Sequence, residues 1–151
     1  MLQVLGWNLG LKSEVIGRDA ASVLVPAWDD LCRRSIEDNV YYSPKYAWAL
    51  LDSVERDERV RFATVWSHDT LVALLPFTTP RFPVPMLGPA GRGWQSKYTF
   101  SCMPLLDEAH ASEAANALVA LLTSVAPGEW ILPSLNTEGE VCHALIDALD
   151  R

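Results

Sequence analysis

Cysteine is scarce in this chain: Cys32, Cys102 and Cys142 are the only three in 151 residues, widely spaced and without a C-x-x-C pair. An odd number without metal-ligand spacing argues against both a disulfide framework and a structural zinc site, and leaves three small, buried side chains. Long apolar runs are also missing. The longest candidate, LVALLPF at 71–77, falls far short of the roughly 20 residues a bilayer span needs. Basic charge is thin, with 12 Lys and Arg against 19 Asp and Glu and a net charge of −7. Such a field repels nucleic acid and anionic membranes, so neither is expected as a partner. The apolar start MLQVLGWNLGL has no basic n-region and no small-residue cleavage site, so it does not read as a secretory signal. A soluble, cytoplasmic protein is expected. No internal repeat is present.

Half of the residues are hydrophobic and the length suits one globular domain with a real core. KSEVIG at 12–17 has the character of a short strand, and Asp19 offers an N-cap to a helical stretch that Pro26 interrupts or restarts. Beyond it, Trp28, Leu31, Cys32, Ser35 and Ile36 recur at helical spacing, with Asp29, Asp30, Arg33 and Arg34 outside. In YYSPKYAWALLDSV, Ser43 caps a second helix whose first residue is Pro44. The missing proline N–H is harmless there. Ala47, Leu50, Leu51 and Val54 form its stripe, and ERDER at 55–59 closes it.

From Val60 the period shortens: VRFATVW alternates, SHDT turns, and LVALLPFTT is a nearly continuous apolar run, as in a strand covered on both faces. Four prolines and three glycines in TPRFPVPMLGPAGRG predict an irregular crossing, and WQSKYTFSCM resumes alternation as a further strand. SEAANALVALLTSV buries Ala114, Leu118, Leu121, Leu122 and Val125 and stops at Pro127-Gly128. EWILPSL reads as a short strand. Thr137 and Glu140 then form a capping box for a last helix with Val141, Ala144, Leu145, Ala148 and Leu149 on its buried stripe. The order is β-α-α-β-β-β-α-β-α: an α/β (α+β) fold with a mixed, mainly antiparallel sheet and helices on both faces.

Several residue groups have the composition of a reactive site without its geometry. Ser67-His68-Asp69 are neighbours in a tight turn, whereas a hydrolase triad converges from separated positions. Cys142 and His143 are adjacent on a helix and point about 100° apart. His68, His110 and His143 fall in three elements with no ligand spacing, so no metal site is read. Asp29, Asp30, Asp57 and Glu58 sit on expected solvated faces, and no catalytic residue is assigned.

The run Trp28-Asp29-Asp30-Leu31, Ser35, Ser43-Pro44 with Trp48, LLPF at 74–77, Tyr98 and Pro104-Leu105 resembles the N-terminal half of CelD/BcsL-like acetyltransferases associated with cellulose biosynthesis. These are tandem proteins of the acyl-CoA N-acyltransferase (GNAT) fold, similar in architecture to peptidyltransferases of peptidoglycan synthesis. The resemblance covers roughly residues 14–150. It implies a GNAT-like domain over residues 1–151, lacking the fold's last two strands. Acetyl-CoA or another acyl-CoA would be the cofactor of the full-length protein. The partner would be a C-terminal GNAT half or another chain, including a second copy in a homodimer, pairing the sheet edge the missing strands leave open.

In that family a Q/R-x-x-G-x-G/A loop between the fourth strand and third helix holds the CoA pyrophosphate. Here that junction reads SCMPLLDEAHASEA, without glycine and with Asp107 and Glu108, so no cofactor is expected on this chain. GPAGRG at 88–93 has glycines at Gly91 and Gly93 but leads into an expected strand, where no helix N-terminus backs a phosphate. It reads as a crossing loop, with a phosphate role as the alternative. Arg92, Trp94, Lys97 and Tyr98 concentrate positive charge and aromatic area and are the substrate-cleft candidates. The competing reading of Trp94 and Tyr98 is as core. The expected function is a non-catalytic, GNAT-like half acting as platform and cleft wall; the alternative is a stand-alone binding or dimerisation module.

Overall fold

A computed structural model describes residues 3–8, 10–53, 59–80 and 90–150. Its strands are β1 (Gln3–Asn8), β2 (Leu11–Ile16), β3 (Arg61–Ser67), β4 (Thr70–Thr78), β5 (Gly91–Gly93), β6 (Leu105–Leu106) and β7 (Trp130–Ile131). The helices are α1 (Arg18–Val23), α2 (Val25–Arg34), α3 (Pro44–Ser53), α4 (Ala111–Val125) and α5 (Glu140–Leu149). The fold is the expected mixed, mainly antiparallel α/β arrangement. Strands run in the order β1-β2-β3-β4-β5-β7, with β6 also paired to β4, and among the described residues only β5 and β7 are parallel.

The β3–β4 hairpin is the centre of the sheet. Its register runs from Arg61 opposite Phe77 to Ser67 opposite Thr70. The turn falls on His68 and Asp69, His68 adopting φ 54°. Every residue from Leu71 to Phe77 is buried, as a strand covered on both faces requires. Phe62 meets the rings of Trp28 and Trp48 at 5.5 and 6.0 Å, which places α2 and α3 over one face. Ala63 and Val65 alternate to the other face and are buried as completely, with α4 packed across β1 to β4.

Two elements depart from the expected order. β1 precedes the first expected strand, and the chain turns into β2 through Gly10 at φ 85°, a backbone conformation that favours glycine. The strand expected from WQSKYTFSCM does not form. The chain pairs with β4 only at β5, leaves the β4 edge after the Trp94 amide bonds the Pro76 carbonyl, and returns at β6. In between, Thr99 N–H donates to the Ser96 carbonyl at 3.1 Å and Tyr98 N–H to Ser96 Oγ at 2.9 Å. These local bonds take the backbone out of the ladder despite its alternating pattern.

The expected caps are replaced as well. Gly17, not Asp19, is the N-cap of α1, and Asp19 lies within its first turn. Ser43 Oγ bonds back to the Val40 carbonyl at 2.7 Å, although Pro44 does open α3. Thr137 and Glu140 form no capping box: Gly139 is the N-cap of α5, and Glu37 Oε2 accepts from Val141 N–H at 2.8 Å. Leu149, expected on the buried stripe, is exposed. Val54, Asp57, Glu58 and most of ERDER, together with the prolines at 83, 85 and 89 and Gly88, lie outside the described residues. Among the described residues no helix is long and apolar enough to cross a membrane.

Candidate functional site

The segment after α2 and the loop between β5 and β6 fold onto one another. Asn39 is buried and bridges them: its amide donates to the Met103 carbonyl at 2.7 Å while its oxygen accepts from Tyr41 N–H at 3.2 Å. A 3-10 turn over Val40–Tyr42 follows. Tyr42 is fully buried; its carbonyl accepts from the Trp28 indole at 2.7 Å and its hydroxyl donates to the Trp94 carbonyl at 2.8 Å. Burial holds the Tyr42 phenol well above its ordinary ionisation range. The Cys102 thiol also reaches the Trp94 carbonyl and is raised by burial.

This scaffold carries an aromatic shelf. Tyr41 meets Tyr46 edge-on at 5.4 Å and Phe100 at 5.8 Å. Tyr46 donates its hydroxyl to the Tyr98 carbonyl at 2.8 Å, and the Lys97 ammonium sits 4.9 Å from the centre of the Tyr98 ring. Val40, Tyr98 and Phe100 are exposed. Of the four cleft candidates, Lys97 and Tyr98 therefore stand together on the shelf. Trp94 is core, and it does not share a strand face with Tyr98. Arg92 is exposed on β5, opposite Thr78. Tyr41, Tyr46 and Phe100 were not singled out by sequence. The aromatic density of YYSPKY is the signal for them, overlaid in the sequence by the Ser-Pro helix start.

The glycines of GPAGRG that can be placed serve packing. A Cβ on Gly91 would lie 2.5 Å from the Trp130 ring, and one on Gly93 2.9 Å from the Cys102 Cβ. Both sit in β5, with no helix N-terminus behind them.

The β6–α4 junction is occupied by protein groups. Asp107 is buried; its N–H donates to the Val72 carbonyl at 2.9 Å and its Oδ1 accepts from Ala109 N–H at 2.9 Å. Its other oxygen takes the Arg34 guanidinium, with His110 Nδ1 at 3.5 Å. Arg34, expected on a solvated face, also reaches the Leu71 carbonyl at 3.0 Å and Asp30 at 2.9 Å. The Arg34 hydrogen bond holds Asp30 below the usual carboxylate range. A second feature, an open hollow of about 370 Å³, is lined by Arg18, Asp19, Ser22, Val25, Trp48 and Asp52. Arg18 spans it, 5.7 Å from the Trp48 ring centre and 2.8 Å from Asp52.

The cysteines are free, with Cys102 and Cys142 buried and Cys32 half-buried. Burial pushes the Cys32 thiol up to about 11, so it is no ready nucleophile. Among the described residues no three His, Cys, Asp or Glu side chains gather in a metal-binding group. No protein-family model, curated protein or solved structure matches the chain.

Proposed function

We propose that this chain is a non-catalytic, GNAT-like half of an acyl-CoA-dependent acyltransferase, a platform that lends one wall to the acceptor cleft. The observation that carries the non-catalytic part is Asp107. In a GNAT-like arrangement the amides at this junction would receive a pyrophosphate; here a buried carboxylate already accepts from Ala109 N–H and is neutralised by Arg34. A second anion at that point would meet the carboxylates of Asp107 and Glu108. The residues present do not fit acyl-CoA, so the acyl donor belongs to a separate half. Lys97 and Tyr98, displayed on the shelf, are the wall this half contributes.

Calorimetric titration of the chain with acetyl-CoA tests the reading. No binding is expected in the micromolar range, and micromolar affinity would overturn it. The alternative, a binding module without any link to acyl transfer, is favoured by the exposure of the shelf itself, since clustered exposed apolar side chains mark interaction surfaces.

A further inference from the structure

Among the described residues, seven large hydrophobic side chains are exposed, and five of them fall into two patches. Val40, Tyr98 and Phe100, exposed by 62, 43 and 68%, belong to the aromatic shelf. Ile146 and Leu149, exposed by 47 and 70%, lie three residues apart on one side of α5. Both patches are open in the same molecule, so neither covers the other within one chain.

Their charges are opposite. The shelf carries Lys97 over the Tyr98 ring and exposed Lys45 beside Tyr46; Asp38 is the exposed carboxylate nearest to it in sequence, and Asp52 at the end of α3 is paired with Arg18. Residues 138–150 contain Glu138, Glu140, Asp147 and Asp150, all four exposed, and the first basic residue after them is Arg151. Asp150 follows Ile146 by four positions, so a carboxylate stands beside the aliphatic pair, and Asp147 flanks it on the next stripe. The α5 patch is thus an aliphatic ridge edged with acid, and the shelf is an aromatic platform edged with base.

From this complementarity we infer that the shelf of one copy receives the α5 ridge of another, so that the chain associates with itself through two unlike surfaces. Ile146 and Leu149 supply the apolar contact to the Tyr41, Tyr98 and Phe100 rings, and Lys45 and Lys97 face Asp147 and Asp150. Apolar contact provides the affinity, while the charges set partner choice and orientation. A contact this small belongs to the weak end of protein interfaces. A copy seated on the shelf would exclude an acceptor from the same rings. The test below reads association alone, so its result is independent of whether the chain serves an acyltransferase.

Sedimentation velocity of the chain from about 10 µM to about 1 mM covers the weak range. The expected result is association that grows with concentration and weakens as salt rises from about 0.05 to about 0.5 M. The double variants K45E/K97E and D147K/D150K should each associate about tenfold more weakly than the parent. An equimolar mixture of the two should regain association with the variants alternating, because each shelf then meets a ridge of opposite charge on the other variant, one contact native and one reversed on both sides. Phe100→Ser and Leu149→Ser, both at exposed positions that leave the core intact, should each abolish it at the same concentrations. A parent chain that stays monomeric to 1 mM would overturn the inference, including where the shelf instead binds an added acidic helical peptide. Association unchanged by both charge reversals, as pairing through a sheet edge would give, would overturn it too.

Discussion

The β3–β4 hairpin and the β5–β6 loop are neighbours on the same sheet, both place side chains in the core, and are held by different means. The hairpin satisfies its backbone in a ladder, and its side chains are fixed by helices on both faces. The loop lacks a ladder from Gln95 to Pro104, yet Ser96, Thr99, Cys102 and Met103 are buried. Its carbonyls are taken by side chains from elsewhere: Tyr42 on Trp94, Tyr46 on Tyr98 and Asn39 on Met103. Irregular backbone can thus be buried when distant side chains complete its hydrogen bonds. The hairpin then depends on apolar contact, and the loop on a few polar side chains.

That contrast can be broken from the hairpin side first. Trp28→Ala removes the ring that packs on Phe62 and the indole that holds the Tyr42 carbonyl. A loss of about 3–5 kcal/mol is expected, enough to unfold hairpin and loop together in a denaturant titration. Asn39→Ala leaves the Met103 carbonyl without its partner and should cost about 1–3 kcal/mol. Here the two regions should separate: amide exchange should rise across 95–104 while the β3–β4 amides keep their protection.

Tyr42→Phe keeps the buried ring and deletes one hydrogen bond, for about 1 kcal/mol by thermal melting. The same residue gives the alkaline limit. Because the folded state raises its pKa, the unfolded chain loses the proton first; stability from this group is complete below the ordinary phenol value of 10.0 and falls as pH rises above it. Tyr42→Phe should reduce that alkaline loss, and an unchanged melting profile above pH 10 would remove Tyr42 as its source. Tyr46→Phe, at the exposed rim, should change stability by less than about 0.5 kcal/mol and leave only the Tyr98 end of the loop less protected.

The hairpin was legible in the sequence because its signals are local: alternation in VRFATVW, a polar turn, and an apolar run. The helices were legible through their stripes, and the core calls at Trp28, Leu31, Leu118 and Leu145 agree with the structure. The loop was misread because WQSKYTFSCM alternates like a strand, while the bonds that decide its path come from Asn39, Tyr42 and Tyr46, about fifty residues or more earlier. The shelf was half legible for the same reason. Lys97 and Tyr98 stood out beside the glycines, but Tyr41, Tyr46 and Phe100 join them only through the fold. Asp107 was noticed as an unfavourable charge for a phosphate, and no spacing rule could pair it with Arg34, seventy-three residues away.

Glu37 ties the last helix to a distant part of the chain. The α5 segment begins without a side-chain cap of its own, and a ten-residue helix is marginal in isolation. The carboxylate that takes the Val141 amide comes from 104 positions earlier, just beyond α2. The start of α5 is therefore capped by a residue from the other end of the chain, while its apolar stripe packs on α4. Take Glu37 away and the helix opens on a bare Val141 amide, although nothing in the helix itself has changed.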